Sequence, residues 1–290
     1  MKPEAYSATN APLLEHLGDV IGTLRNSERK VAQLVADNPS FVMNATMAGV
    51  ADAAGVSEPT VMRFCTSLGF GGFQQFKISL AQTLALGIPA TLSTIGRDDS
   101  IEVLSTKIFD HTISSLDRAR RFLDPAQIER AVEAILKSTS LTFAGLGASA
   151  IIGLDAEQKS ALFGVPCSAP SDPHQQFMAA ATAGPTDVIL AISNTGRTKS
   201  VLQVAQTAQA NGATVIGMSG DDSPLLEHCD IPLIVKTIED TDMYTPTVSR
   251  LAGLVVIDIL ATSVALRRGE EHMDKLTAMK EGLARFRRNS

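Results

Sequence analysis

The chain has 290 residues, of which 44% are hydrophobic and 19% charged, so it suits one large or two ordinary globular domains with a sizeable core. Aromatic residues make up only 4% and there is no Trp, so Ala, Leu, Val and Ile must fill that core. A net charge of −6 excludes a general polyanion binder but leaves room for a local DNA-reading surface.

The first third reads as helices. "PLLEHLGDVIGTL" carries Leu13, Leu14, Leu17, Val20, Ile21 and Leu24 on one face. "SERKVAQLVADNP" is expected to start at a capping Ser27 and stop before Pro39. "NATMAGVADAAG" is expected to begin at Asn44 and end at Gly55, and "SEPTVMRFCTSLG" to begin with Ser57 and end at Gly69. "FQQFKISLAQTLAL" places Phe73, Phe76, Leu80 and Leu84 on one stripe.

The two middle segments follow helix-turn-helix logic. Ala51 and Ala54 are small enough for close helix crossing, and Gly55 permits a left-handed turn. Ser57 caps the next helix, with Pro59 in its first turn, and Val56 and Val61 point back to the first helix. Ser57, Glu58, Thr60 and Arg63 are then expected at the exposed end that enters the major groove of a double-stranded DNA operator. Arg63 suits a bidentate contact to guanine or a phosphate contact. A plain helical hairpin is the competing reading. Up to residue 83 there are six Lys and Arg against seven Asp and Glu, so non-specific DNA affinity is poor and helix N-termini and a symmetric dimer must supply binding.

"GIPATLSTIGRDDS" mixes Gly, Pro, Ser and Asp without helical period and reads as a linker. The expected division is a DNA-binding domain at 1–86, a linker at 87–99 and a second domain at 100–290. After helices near 100–122 and 125–138, short β-rich runs alternate with helical segments: 141–145, 165–169, 187–192, 214–219 and 231–236. The predicted fold of this half is therefore α/β, a doubly wound five-stranded parallel sheet of order 2-1-3-4-5 behind an all-α head.

"GLGAS" (145–149) follows the first strand and "SNTGRT" (193–198) the third, and each leads into a helix. In that strand order both loops flank the topological switch point, where ligands bind. Ser149, Ser193, Thr195 and Thr198 offer hydroxyls, and Asn194 offers an amide. Gly145, Gly147 and Gly196 let backbone N–H groups approach, so a phosphate is the expected guest. Ordinary turns with helix caps are the bland alternative. "GLGASA" also fits a loose dinucleotide fingerprint, but the first acid after the second strand is Asp172, too late for a ribose contact, and no P-loop exists. No cofactor is expected.

"TIEDTDMYTPTVSR" places Glu239, Asp240 and Asp242 before a long apolar segment, where carboxylates could accept sugar hydroxyls or act as a general base, or simply be solvated. The stretch 251–266 contains Asp258 and falls short of the ~20 residues of a membrane span, so it is expected as a core helix, with no membrane partner. The start of the sequence lacks an apolar signal-peptide core, and a cytoplasmic protein is expected. Cys65, Cys167 and Cys229 have no pairing or C-x-x-C spacing and read as buried thiols. His111, His174 and His228 have no metal-ligand spacing, so no metal is expected.

These stretches together resemble the RpiR family of bacterial transcription regulators. "SEPTVMRFCTSLGFGGFQQFK" carries the resemblance in front; "GLGAS", "SNTGRT" and "EDTDMYTPTVSR" carry it behind. The rear half looks like a SIS (sugar isomerase) domain, and the whole is similar to the family's hexose-catabolism repressors. The resemblance implies a homodimeric or larger regulator controlled by a phosphorylated sugar or sugar acid, with 2-keto-3-deoxy-6-phosphogluconate as the expected effector. It places Ser149 and Ser193 at the effector phosphate and Arg63 at DNA, with no catalytic residue. One departure is Thr66, which stands where such repressors carry a second Arg. A sugar-phosphate isomerase is the alternative function, and a module regulating a partner enzyme is a third. An interface through the 246–266 helix or the helices flanking the sheet is expected.

Overall fold

Apolar residues three and four apart drive the N-terminal helices together. The computed structural model describes residues 13–85, 99–239 and 248–288. The chain divides into two compact units, 1–114 and 115–290.

In the first unit α1 (Leu13–Val20) ends in a short 3-10 turn and is followed by α2 (Asn26–Asp37) and α3 (Pro39–Asn44). Next come α4 (Met47–Ala54), α5 (Glu58–Ser67) and α6 (Phe73–Ala85). Leu13, Leu17, Val35, Val50, Val61, Phe64 and Leu80 are fully buried in one core. Phe76 closes it with edge-on contacts to Phe64 (5.4 Å) and Phe70 (5.5 Å).

Two expected helix starts are corrected. Ser27 lies inside α2, whose N-cap position is Arg25, an extended residue without a side-chain cap. Asn44 closes α3 rather than opening the next helix. The Asn38 side chain accepts the Phe41 N–H and Pro39 occupies the first turn, so a separate short helix forms there. Thr46 then caps α4, its Oγ1 accepting from the Gly49 N–H at 3.1 Å. The expected linker at 87–99 lies outside the described residues except for Asp99.

α7 (Ile101–Phe122) runs across the boundary between the units, and α8 (Pro125–Lys137) begins at Asp124, whose carboxylate caps the Ala126 N–H. The parallel strands β1 (Ser140–Gly145), β2 (Cys167–Ser168), β3 (Asp187–Ile192), β4 (Thr214–Ser219) and β5 (Ile231–Ile234) follow. Their order is β2-β1-β3-β4-β5, as the alternation predicts. α9 (Ala148–Gln158), α10 (Ser160–Phe163), α11 (Pro173–Thr182) and α12 (Lys199–Ala210) connect them, and α13 (Val248–Arg267) and α14 (Glu270–Arg288) follow β5.

Strand residues alternate between two cores. Leu141, Phe143, Val188, Leu190, Ile216 and Met218 face α8, α9 and α13. Ala144, Ile189, Ala191 and Val215 face α11 and α12, whose contact residues Ala180, Ala205 and Ala208 are small and allow close approach. α13 is long and apolar enough, by length and composition alone, to cross a membrane. Its Ala252, Val256, Ile257, Leu260, Ala261 and Val264 are instead buried in this core.

Candidate functional site: a polar cavity at the switch point and a helix-turn-helix

Gly145 and Ile192 end their strands side by side, so the segments that follow leave the sheet at the same level. The backbone permits a tight fit here. A Cβ on Gly145 would meet Ser149 Cβ at 3.0 Å and the Ile192 carbonyl at 3.1 Å. Gln176, buried to 1% exposure, braces the turn by donating from Nε2 to the carbonyls of Gly145 and Pro170. Gly147 sits at the N-cap of α9 with φ 58°.

The two loops open on one cavity of about 380 Å³. Gly147 and Ser149 line it from one side, and Ser193, Asn194, Thr195 and Thr198 from the other. Thr198 is the N-cap residue of α12, yet its hydroxyl caps no backbone N–H and lies 3.1 Å from the hydroxyl of Ser193. Ser193 is itself only 4% exposed. These two hydroxyls share a hydrogen bond that leaves one proton free to turn outward, and they line the cavity at the N-terminus of α12, with the N-terminus of α9 on the other side. That combination attracts an anion. Thr195 is exposed, and its Oγ1 accepts the Arg197 N–H at 3.3 Å.

Gly196 is brought into this loop but does not line the cavity. With φ +59°, its missing side chain leaves room for Ser223, whose Oγ and Cβ occupy the space a Cβ would take. Gly196 therefore shapes the loop from behind. Its carbonyl accepts from Leu225 N–H, and the Asn194 carbonyl accepts from Gly220 N–H, which ties the loop to the turn after β4.

Glu239 stands beside the cavity. Its Oε2 accepts from the Ser249 N–H at 3.2 Å and from Asn194 Nδ2 at 3.5 Å. Asp240 and Asp242 lie outside the described residues. Ser249 and Arg250, in the first turn of α13, also line the cavity. Both escape a reading of the sequence, although polar residues giving way to the apolar run that starts at Leu251 are the pattern of a helix's first turn. An adjoining cavity of about 600 Å³ shares Asn194 and Thr195 and adds Arg118, Arg197 and Lys236, with Asp221, Asp222 and Glu239 opposing them.

The cysteines stay out of this chemistry. Burial pushes the Cys65 and Cys229 thiols up to about 12 and Cys167 to about 11, so all three stay protonated near neutral pH. Cys167 and Cys229 are partly rather than fully buried. Among the described residues no group of three or more His, Cys, Asp or Glu is placed to hold a metal ion.

In the first unit α4, a turn and α5 form the expected pair. Gly55 adopts φ 62°, and its N–H and that of Val56 return to the carbonyls of Ala51 and Asp52. Ser57, Glu58 and Arg63 are exposed at the start of α5. Thr60 corrects the expected exposed set, because it is buried to 4%. Its hydroxyl receives a hydrogen bond from Arg63 Nη2 at 2.9 Å and lies 3.0 Å from Ser57 Oγ. Ser57 occupies the N-cap position but spends its hydroxyl on Thr60, not on the backbone. Thr60 thus steers Arg63 from beneath. The Thr66 hydroxyl donates to the Met62 carbonyl within its own helix.

Comparison with known proteins agrees with both halves. The helix-turn-helix domain of the rpiR family matches residues 12–87, and the SIS domain matches 134–263. The HTH-type transcriptional regulator HexR of Pseudomonas aeruginosa is 42% identical over 93% of this chain and 95% of its own length. HexR of Escherichia coli is 40% identical over 95% of each. Among solved structures, the Vibrio vulnificus NanR protein complexed with ManNAc-6P aligns with a TM-score of 0.58 and 23% identity, covering 94% of this chain and 98% of that one. The chain belongs to the RpiR family of transcriptional regulators, with an N-terminal helix-turn-helix and a C-terminal SIS domain.

Proposed function

We propose that this regulator represses genes of sugar catabolism and leaves its operator when a phosphorylated sugar or sugar acid enters the switch-point cavity. The observation that carries this reading is the convergence of Ser149, Ser193, Thr195 and Thr198 on one cavity at the N-termini of α9 and α12. The phosphate sits between these hydroxyls at the positive ends of α9 and α12, with Arg250 as counter-charge. The adjoining cavity balances Arg118, Arg197 and Lys236 against Asp221, Asp222 and Glu239, which suits the polar, hydroxyl-bearing body of a sugar phosphate. Within that class, the family resemblance makes 2-keto-3-deoxy-6-phosphogluconate the effector we infer. The ManNAc-6P held by the structural relative belongs to the same class of ligand.

The head of this reading is residues 1–86, the linker 87–99 and the effector domain 100–290. Ser57, Glu58 and Arg63 meet the operator, and the functional species is a cytoplasmic dimer or larger. Catalysis as an isomerase is the weaker reading. The Glu239 carboxylate it would need already accepts two hydrogen bonds from the protein, and a helix-turn-helix gives an isomerase nothing.

The test is a titration of the protein–operator complex with 2-keto-3-deoxy-6-phosphogluconate. Hydrogen bonds to a charged phosphate contribute about 1.5–3 kcal/mol each. Ser149→Ala and Ser193→Ala are therefore expected to raise the midpoint roughly 10- to 150-fold while operator affinity without ligand stays at the parent value. Parent-like midpoints for both variants would remove the phosphate from this cavity.

A further inference from the structure

Glu239 has a geometry that binding alone does not require. Its carboxylate holds two parts of the cavity wall, the Ser249 N–H that begins α13 and the Asn194 amide of the loop after β3. Both residues line the cavity itself. The preceding residue is tied elsewhere. The Ile238 carbonyl accepts from the hydroxyl of Ser115, which is wholly buried on α7. α7 is the helix that runs back into the unit bearing the helix-turn-helix. Two adjacent residues thus join the cavity wall to α7.

We propose that Glu239 is an internal stand-in for the effector's anion: it latches α13 to the loop after β3 in the ligand-free protein, and an arriving phosphate displaces it. This rests on the reading of the cavity as a phosphate site. The physical reason is competition for the same donors and like-charge repulsion. A carboxylate and a phosphate cannot both use the Ser249 N–H and Asn194 without a large Coulombic penalty. Displacing Glu239 moves Ile238 with it and loosens the bond to Ser115. The ligand thereby acquires different affinities for two arrangements of the chain, which any allosteric response needs.

Calorimetric titration of the full chain with inorganic phosphate, at low and high salt, tests the latch. Phosphate has no sugar hydroxyls, so the readout is competition alone. Glu239→Gln is expected to bind phosphate about tenfold tighter at low salt, with the gain shrinking near 1 M salt. Glu239→Ala, without ligand, is expected to show an operator affinity moved toward that of the phosphate-saturated parent. Equal or weaker phosphate binding by Glu239→Gln overturns the latch, and weaker binding identifies Glu239 as part of the ligand's cradle. An unchanged operator affinity in Glu239→Ala also overturns it. A parent that binds neither phosphate nor sugar phosphate overturns the cavity reading itself, a result distinct from either variant's failure.

Discussion

Two glycines with nearly the same backbone angle have different physical reasons to be glycine. Gly55 has φ +62° with open space where a side chain would point, whereas Gly196 has φ +59° with Ser223 filling that space. Gly55→Ala is expected to cost about 1 kcal/mol, the penalty of a left-handed conformation. Gly196→Ala adds a steric clash to the same penalty and is expected to cost several-fold more, on the order of 3 kcal/mol. It should weaken phosphate binding as well, because the loop bearing Ser193 and Thr198 must shift. Urea unfolding of both variants, with a phosphate titration of each, checks the contrast. Equal destabilisation would show that the Ser223 side chain simply turns aside. The sequence shows that both positions are turns. It cannot show that one of them is filled by a residue from the loop after β4.

At the scale of elements, α5 pairs an exposed Arg, proposed above to meet DNA, with a buried residue that braces it. Arg63 is exposed and Thr60 is buried beneath it, joined by a 2.9 Å hydrogen bond. Arg63→Ala is expected to lose about 1–3 kcal/mol of operator binding and to relax specificity at one base pair. Thr60→Val keeps the shape and removes the hydroxyl's hydrogen bonds to Arg63 and Ser57, and loss of the one that holds Arg63 is expected to weaken operator binding by about 0.5–1.5 kcal/mol. Mobility-shift affinities for the operator and for unrelated DNA measure both. A Thr60→Val loss larger than that of Arg63→Ala would mean that Thr60 supports the fold of the head and not Arg63. The periodic apolar positions of α2, α5 and α6 are legible without a structure, because a helix must bury a stripe at 3.6-residue spacing. The caps are less so. Ser27 and Asn44 have the right chemistry for caps, but Asn38 and Thr46 do the capping, because a Pro and a neighbouring helix decide where the chain turns.

In the whole molecule each unit carries its own hydrophobic core. Two separately packed units, the second with apolar packing on both faces of its sheet, give two cooperative transitions, so calorimetric unfolding is expected to be biphasic. A ligand that binds only the second unit stabilises only that transition, by roughly 2.7 kcal/mol at 100 times its dissociation constant. Scanning with and without phosphate therefore locates the site on one unit. If both transitions rise together, the units unfold as one and the cavity is coupled to the head throughout. Charge is distributed in keeping with weak non-specific DNA binding. Arg29 donates to the carbonyls of Ile21, Gly22 and Leu24, and Lys77 to that of Ala45, so two of the head's few cations are spent on structure.

The sequence by itself determined the alternation of strands and helices, the strand order that follows from it, the two polar loops at the switch point and the helix-turn-helix turn at Gly55. These are local patterns, set by apolar periodicity and by residues whose backbone conformation or hydrogen bonding leaves little choice. Tertiary structure alone decided that Ser249 and Arg250 complete the cavity, since they lie about a hundred residues from the loop at Ser149. It alone placed Thr60 inside and Ser223 against Gly196. Glu239 needed both. Its carboxylate is visible in the chain, but only the folding of β5 beside β4, and of α13 back across the sheet, brings Asn194 and the Ser249 N–H to the same oxygen. A side chain's chemistry is a property of the residue, whereas its partners are set by which distant segments the core packs together.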